Sequence, residues 1–120
     1  MTDSTKIWRK FRGAGHGNCY DNAQDFEKSI QGYSTGERVA RIKDTLKDVA
    51  SKNGWQKDAK ISKVNGRDVY KDKKKEYWSI DTEKGRFEKA DKRGKHLGEF
   101  DIDGNQTGKP DTKGRHDLKI

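Results

Sequence analysis

The sequence predicts an α+β fold in which a helical N-terminal half precedes a twisted antiparallel β-meander. Up to about residue 60, apolar residues recur every three or four positions, as they do along one face of a helix. Beyond that point the apolar period falls to two, and glycine-containing turns separate short segments. We therefore divide the chain into residues 1–60, a helical segment serving uptake, linkage or packing, and residues 61–120, a sheet domain.

The first predicted helix is short. Asp21 is a candidate N-cap, and the side chains of Ala23, Phe26 and Ile30 follow at the spacing of one buried helix face. Gly32 marks the expected end of this helix. This first helix is therefore expected to contribute one narrow apolar face to the core.

The second predicted helix has the clearest signals. Ser34 and Glu37 form the pattern of a capping box, and Gly54 is expected to end the helix in a left-handed conformation, with Trp55 packing back on the last turn. The expected buried positions share a helical spacing: Val39, Ile42, Leu46 and Val49. The opposite face is charged, as expected of a surface helix.

The meander is predicted from alternating segments and hairpin-type turns. Trp78 and Phe87 are expected in its core. The predicted strands are Val69-Tyr70, Tyr77 to Asp81, Arg86 to Ala90 and His96 to Ile102. Their breaks fall at Asn65-Gly66, Lys84-Gly85, Arg93-Gly94 and Asp103-Gly104.

The composition limits the classes of function. A net charge of +8, present in both halves of the chain, favours a polyanionic partner, with nucleic acid first and an anionic membrane surface second. A single cysteine excludes an intramolecular disulfide framework, and His16-x-x-Cys19 lacks the second ligand pair of a zinc site. Apolar runs are too short to span a bilayer, and the N-terminus lacks the pattern of a Sec-type signal.

Residues suited to metal-independent RNA cleavage cluster in the meander. This chemistry needs a base for the 2′-hydroxyl, an acid for the leaving 5′-oxygen and a cation for the charged phosphorane. The candidates are Asp81, Lys84, Arg86, Glu88, His96, Arg115 and His116. Because the chain is 40% charged, such a cluster can also arise by chance.

Spacing over residues 68–118 resembles the C-terminal ribonuclease domain of ribosome-inactivating colicins and cloacins. The matching motifs are Tyr77-Trp78-x-x-Asp81-x-x-Lys84-Gly85-x-x-Glu88, Gly94-Lys95-His96-Leu97-Gly98-x-Phe100-Asp101, Gly104-Asn105-Gln106 and Pro110-Asp111-x-Lys113. The resemblance implies that Asp81 is a catalytic-site aspartate, Glu88 the general base and Arg115 a ligand of the scissile phosphate.

One departure from the family pattern concerns Lys84, which stands where the family has its catalytic histidine. An ammonium group with an ordinary pKa of about 10.4 is a poor acid at neutral pH. Three interpretations remain open. Lys84 can clamp the phosphorane while His96 or His116 supplies the acid, Glu88 and Asp81 can divide the acid and base roles, or the site can be inactive.

The resemblance also implies partners. The substrate would be small-subunit ribosomal RNA cut at the decoding site, with no cofactor or metal and no stable membrane association. An acidic immunity protein would neutralise the toxin in the bacterium that produces and delivers it, and the toxin would act in the cytoplasm of the target cell. The residues expected to contact RNA are Lys73, Lys74, Lys75, Arg86, Lys95 and Lys113.

Two other functions compete with this one. The first is a non-enzymatic RNA- or ribosome-binding protein on a toxin fold, which the replaced histidine favours and the two retained carboxylates oppose. The second is a toxin that cleaves tRNA or RNA in general, because one fold is often reused for different substrates.

Overall fold

A computed structural model describes residues 22–120. Over this range the chain forms helices in its N-terminal part and a six-stranded antiparallel sheet, which confirms the predicted α+β class. The helices are α1 (Ala23–Ile30), α2 (Thr35–Lys52) and α3 (Ala59–Asn65). The strands are β1 (Gln56–Lys57), β2 (Val69–Lys71), β3 (Tyr77–Asp81), β4 (Arg86–Ala90), β5 (His96–Phe100) and β6 (Gln106–Gly108).

Helix α1 buries the predicted apolar face. Ala23, Phe26 and Ile30 are all buried. The N-cap is Asn22, whose side chain accepts a hydrogen bond from the Asp25 N–H at 2.8 Å. Asp21, which we expected to cap this helix, lies outside the described residues, as does the His16-x-x-Cys19 pair.

Helix α2 also follows the prediction, except at its N-cap and at Val39. Ile42, Leu46 and Val49 are buried, while Val39 is half-buried. Ser34 is the N-cap residue, but its side chain makes no capping hydrogen bond, so the expected capping box is wrong in this contact. Gly54 has the predicted positive φ, of 77°.

The six strands form a meander in which each strand pairs with the next one along the chain. The predicted bounds of β3 and β4 are confirmed. The prediction for β5 is too long, because the Asp101 carboxylate accepts the N–H groups of Asp103 and Asn105 and closes a turn directly after Phe100. Ile102 lies in that turn and is buried in the core.

Three short elements were not predicted: β1, α3 and β6. Both β1 and β6 consist of exposed or half-exposed residues at sheet edges, so they have no alternating apolar pattern. Helix α3 does have local signals. Asp58 caps it through the Ile61 N–H at 3.0 Å, and Gly66 ends it with a φ of 65°.

The two sheet faces are covered differently. On one face Trp78, Ile80 and Phe87 pack with apolar residues of α1 and α2, and Trp55 stacks on Trp78 at 4.5 Å between ring centroids. Residues before and after position 60 therefore share one core cluster. Within the described range, no helix has the length and apolar character that a bilayer-spanning helix needs.

The second face has only a small apolar cluster. It joins Tyr77 and Ala90 of the sheet to Ile61 of α3, Val69 of β2 and Leu118 near the C-terminus. Further along the same face the side chains are polar, because the strand period places residues 79, 81, 86 and 88 on one side of the sheet. This uncovered part of the sheet holds the candidate site.

Candidate functional site

A cleft of about 1020 Å³ lies on this second face, between β3, β4, β5 and the segment after β6. Its walls carry every residue that we predicted to be catalytic, together with two of the predicted RNA contacts. These residues are Asp81, Lys84, Glu88, His96, Arg115, His116, Arg86 and Lys113. The fold thus gathers residues that are up to 35 positions apart in the chain, from Asp81 to His116, into one cavity.

Antiparallel pairing explains why the carboxylates meet. Glu88 of β4 lies directly between Ser79 of β3 and Glu99 of β5. Directly opposed residues in an antiparallel pair project from the same face of the sheet. Asp81 also projects from this face, opposite Arg86.

Glu88 is the most central of these side chains, and it is only 8% exposed. Its Oε1 atom lies 2.7 Å from Nε2 of His96. Burial raises the pKa of Glu88, the His96 hydrogen bond opposes this effect, and the negative charges of Glu99 and Asp81 add to the increase. Glu88 therefore combines a fixed position with an affinity for protons above that of an ordinary glutamate.

His96 is buried and holds Glu88 in place. Its Nδ1 atom accepts a hydrogen bond from the backbone N–H of Asp111 at 2.8 Å, so the ring proton must reside on Nε2, which donates to Glu88. The backbone N–H of His96 in turn donates to the Asp117 carboxylate at 2.9 Å. Because both ring nitrogens are engaged, His96 has no free nitrogen in this arrangement, and its contact fixes the position of Glu88.

His116 has a different environment. It is exposed at the cleft wall, its Nδ1 lies 2.8 Å from Oδ2 of Asp111, and its ring centroid lies 5.1 Å from that of His96. The backbone N–H of Lys113 and the His116 ring lower the pKa of Asp111 to about 2, so Asp111 is a carboxylate at neutral pH. Asp111 orients His116, and Arg115 lies alongside with Nε 3.6 Å from the same Oδ2 atom.

Lys84 belongs to a chain of charged groups that the sequence did not reveal. Its Nζ lies 3.4 Å from Oε2 of Glu99, and Nη1 of Arg86 lies 2.9 Å from Oε1 of Glu99. Arg86 also binds both carboxylate oxygens of Glu27 in α1, at 2.8 and 3.1 Å. Arg86, which we predicted to contact RNA, is therefore engaged between two carboxylates.

Glu99 is a buried carboxylate of the cleft that was not among the residues predicted from the sequence. Burial alone would raise its pKa, but hydrogen bonds from Arg86 and Thr107 and the charge of Lys84 keep this pKa below its usual value. Strand alternation could have indicated only which residues of β5 share a face with Glu99. The cross-strand register that makes Glu99 and Glu88 neighbours was not derivable from the residues between them.

The remaining predicted RNA contacts lie elsewhere. Lys73, Lys74 and Lys75 are exposed in the turn between β2 and β3, and Lys95 precedes β5. In a meander these two turns lie at the opposite end of the sheet from Lys84 in the β3–β4 turn. None of these four lysines lines the cleft.

The carboxylates of Asp81, Glu88 and Glu99 have oxygen atoms within 4.8 Å of one another, a spacing that could hold a cation. However, Lys84, Arg86 and Thr107 already occupy both oxygens of Glu99, and His96 occupies Oε1 of Glu88. A metal ion at these oxygens would have to compete with these donors. Lys84 and Arg86 already offset part of the negative charge of this cluster.

The fold and the cleft describe a small basic α+β domain with paired carboxylates and histidines beside exposed cations. A family model described as Cytotoxic matches residues 40–116, a range that begins within α2 and contains every residue that lines the cleft. The chain belongs to this cytotoxic family, and the resemblance to colicin- and cloacin-type domains is confirmed. The protein is therefore a toxin. No curated protein and no solved structure matches it.

Proposed function

We propose that this toxin is an endoribonuclease that cleaves small-subunit ribosomal RNA at the decoding site and so stops translation in competitor cells. The observation that carries the proposal is the buried Glu88, held by His96 in a cleft that also exposes His116 and Arg115. A buried carboxylate with a raised pKa is suited to general-base work near neutral pH.

The first half of the reaction uses Glu88. Its carboxylate takes the proton of the ribose 2′-hydroxyl, and the 2′-oxygen forms a bond to phosphorus. His96 keeps Oε1 of Glu88 in a fixed position. The Glu88 side chain therefore does not have to change rotamer before it accepts the proton.

The second half requires a cation and an acid. Lys84 and Arg115 stabilise the phosphorane charge, and protonated His116 gives its proton to the 5′-oxygen as the bond between phosphorus and that oxygen breaks. The products are a 2′,3′-cyclic phosphate and a free 5′-hydroxyl. Of the three interpretations of Lys84, this mechanism adopts the clamp, with His116 rather than His96 as the acid.

Asp81 acts on the position of Lys84. Its Oδ1 atom accepts hydrogen bonds from the backbone N–H groups of Glu83 and Lys84, at 2.8 and 3.1 Å. These contacts shape the turn from which Lys84 extends. We therefore assign Asp81 to the ordering of this turn.

The RNA target, the acidic immunity protein and the delivery from a producing bacterium into the cytoplasm of a target cell follow from the colicin and cloacin resemblance. The net charge of +8 supports both partners, because it attracts RNA and complements an acidic inhibitor. These parts of the proposal are testable separately from the cleavage chemistry.

The decisive experiment incubates intact bacterial ribosomes with the wild type, with Glu88→Gln and with the control Glu37→Gln. Glu37 carries the same charge but lies in the first turn of α2, outside the cleft. One short 3′ fragment of small-subunit RNA, lost only with Glu88→Gln, is the expected result.

Two other outcomes are informative. Diffuse degradation that depends on Glu88 would contradict the ribosomal target and favour a toxin that cleaves tRNA or RNA in general. Absence of cleavage would overturn the enzyme and leave a non-enzymatic RNA-binding toxin, the function that the lysine at the family's histidine position favours. Equal cleavage by Glu88→Gln would overturn the mechanism in which Glu88 is the base.

A further inference from the structure

A second, smaller cavity of about 480 Å³ opens beside the cleft. We call it the basic groove. Its cationic side chains come from α2, β1, α3 and the loop after α3: Lys43, Lys57, Lys63 and Arg67. No function assigned above uses any of them.

The basic groove is continuous with the cleft. Both cavities are lined by Gly66, Arg67, Ile80 and Thr82. Ile80 and Thr82 flank Asp81, a residue of the cleft alone. A polymer bound across the cleft at Asp81 therefore has a direct path into the basic groove.

The charged residues that line the groove are mostly positive. Asp68 is its only acidic lining residue within the described chain, and it is paired with Lys57 at 3.1 Å. For the part of the chain that the structure describes, no ion pair involves Lys43, Lys63 or Arg67. These three exposed cations thus have no ion pair within the described chain, in contrast to Lys84 and Arg86, which contact Glu99.

Local structure fixes the backbone of Arg67, which lies where the two cavities meet. Gly66 ends α3 in the left-handed conformation, with a φ of 65°, and the backbone N–H of Arg67 donates to the Ser62 carbonyl at 3.2 Å. The chain leaves the helix at this point, and the exposed Arg67 side chain serves both cavities.

We propose that the basic groove binds the phosphodiester backbone of single-stranded RNA next to the scissile phosphate. This inference rests on the proposed ribonuclease function and extends it to substrate binding. Cations on separate elements match successive phosphates, and such contacts position a strand without reading its bases. An extended RNA strand fits better than an acidic protein surface, because the groove is concave and leads into the cleft where the phosphate is cut.

The test uses the triple variant Lys43→Gln/Lys63→Gln/Arg67→Gln. The matched control, Lys47→Gln/Lys92→Gln/Lys119→Gln, removes three exposed positive charges that line neither cavity. Both are made in a Glu88→Gln background, and binding of a single-stranded RNA oligonucleotide is measured by fluorescence anisotropy over a range of salt concentrations. Circular dichroism verifies that both variants fold.

Three lost phosphate contacts should reduce the slope of log Kobs against log salt concentration by about 2 for the groove variant, since each contact to a single strand contributes about 0.7. The single variant Arg67→Gln should reduce it by about 0.7. With active protein, the groove variant should raise KM for ribosomal RNA and leave kcat unchanged.

Equal slopes for the groove variant and the control would overturn the groove as an RNA site. If the groove variant instead loses affinity only for poly-L-glutamate, the groove binds acidic protein and the proposal is also overturned. A wild type that shows no Glu88-dependent cleavage is a separate result. It would refute the proposed ribonuclease activity, while the anisotropy measurement would still test RNA binding by the groove.

Discussion

Glu88 and Glu99 are neighbouring carboxylates on one face of the sheet, yet their surroundings shift their proton affinities in opposite directions. Burial dominates at Glu88 and raises its pKa. At Glu99 the effect of burial is outweighed by hydrogen bonds from Arg86 and Thr107 and by the charge of Lys84, and its pKa is lowered. Such a separation allows one carboxylate to exchange protons while the other remains a fixed charge.

The pH dependence of cleavage should report this arrangement. Because the pKa of Glu88 is raised, the acidic limb of the kcat/KM profile should lie above the ordinary glutamate value of about 4.5. Glu99→Gln removes a negative neighbour and frees Lys84, so the limb should move to lower pH. A profile measured with a ribosomal RNA substrate checks both statements, and an unchanged limb in Glu99→Gln would contradict the coupling.

The stability of Glu88→Gln should also reflect the raised pKa. A carboxylate with a raised folded-state pKa destabilises the fold increasingly as pH rises from its unfolded value through its folded value. Glutamine resembles the protonated form and still accepts the His96 hydrogen bond. We expect the variant to be at least as stable as the wild type at pH 7 and to lose this advantage near pH 4, as measured by urea denaturation.

At the scale of elements, the β3–β4 turn links the helices to the cleft. Gly85 packs under Phe26 and Ile30 of α1, and Arg38 of α2 donates a hydrogen bond to the Glu83 carbonyl. The same turn carries Lys84. The helices therefore determine where this lysine emerges, even though they lie against the other face of the sheet.

Two glycine substitutions separate backbone strain from packing. Both Gly85 and Gly66 have a positive φ, but a Cβ atom at Gly85 would meet Phe26 and Ile30 at 2.9 Å, whereas at Gly66 it would meet nothing within 4 Å. We expect Gly66→Ala to cost about 1 kcal/mol of unfolding free energy and Gly85→Ala about 2–4 kcal/mol, because overpacking adds to the strain. Equal decreases in unfolding free energy for the two variants, measured by urea denaturation, would show that α1 is not tightly packed against this turn.

The C-terminal segment is a second element that completes the site. Leu118 is buried with Ile61 and Tyr77, and its N–H donates to the Gly94 carbonyl at 2.7 Å. This attachment holds the preceding residues, including Asp111 and His116, over His96. An irregular segment with few apolar residues is thus fixed by one buried side chain and by backbone contacts.

On the scale of the whole molecule, ion pairs leave a large positive charge unneutralised. The chain has 28 Lys and Arg against 20 Asp and Glu, and Lys57, Lys89 and Arg86 are among the cations already paired with carboxylates. Under the proposed function, this excess of positive charge is what would attract RNA.

Binding should consequently be sensitive to salt. For about five phosphate contacts to a single strand, RNA affinity should fall on the order of a hundredfold between 50 and 200 mM salt. The effect should be seen in KM, with kcat changing little, when cleavage rates are measured at both concentrations. A KM that does not respond to salt would contradict an electrostatic mode of binding.

The sequence by itself determined the α+β class, the α2 stripe, the strands β3 and β4 and the six catalytic candidates. These features depend on local spacing and turn residues, and on motifs that cluster within one segment. The short elements β1 and β6 escaped prediction because two or three exposed residues pair only when a neighbouring strand is present.

Only the tertiary structure decided which of the candidates contact one another. The contact of His96 with the Asp111 N–H spans 15 positions, and that of Arg86 with Glu27 spans 59. Such contacts depend on strand register and on the path of the C-terminal segment, which no local pattern encodes. For this reason only the structure could show that both ring nitrogens of His96 are engaged, that Glu99 lies in the cleft, and that Lys73, Lys74, Lys75 and Lys95 lie outside it.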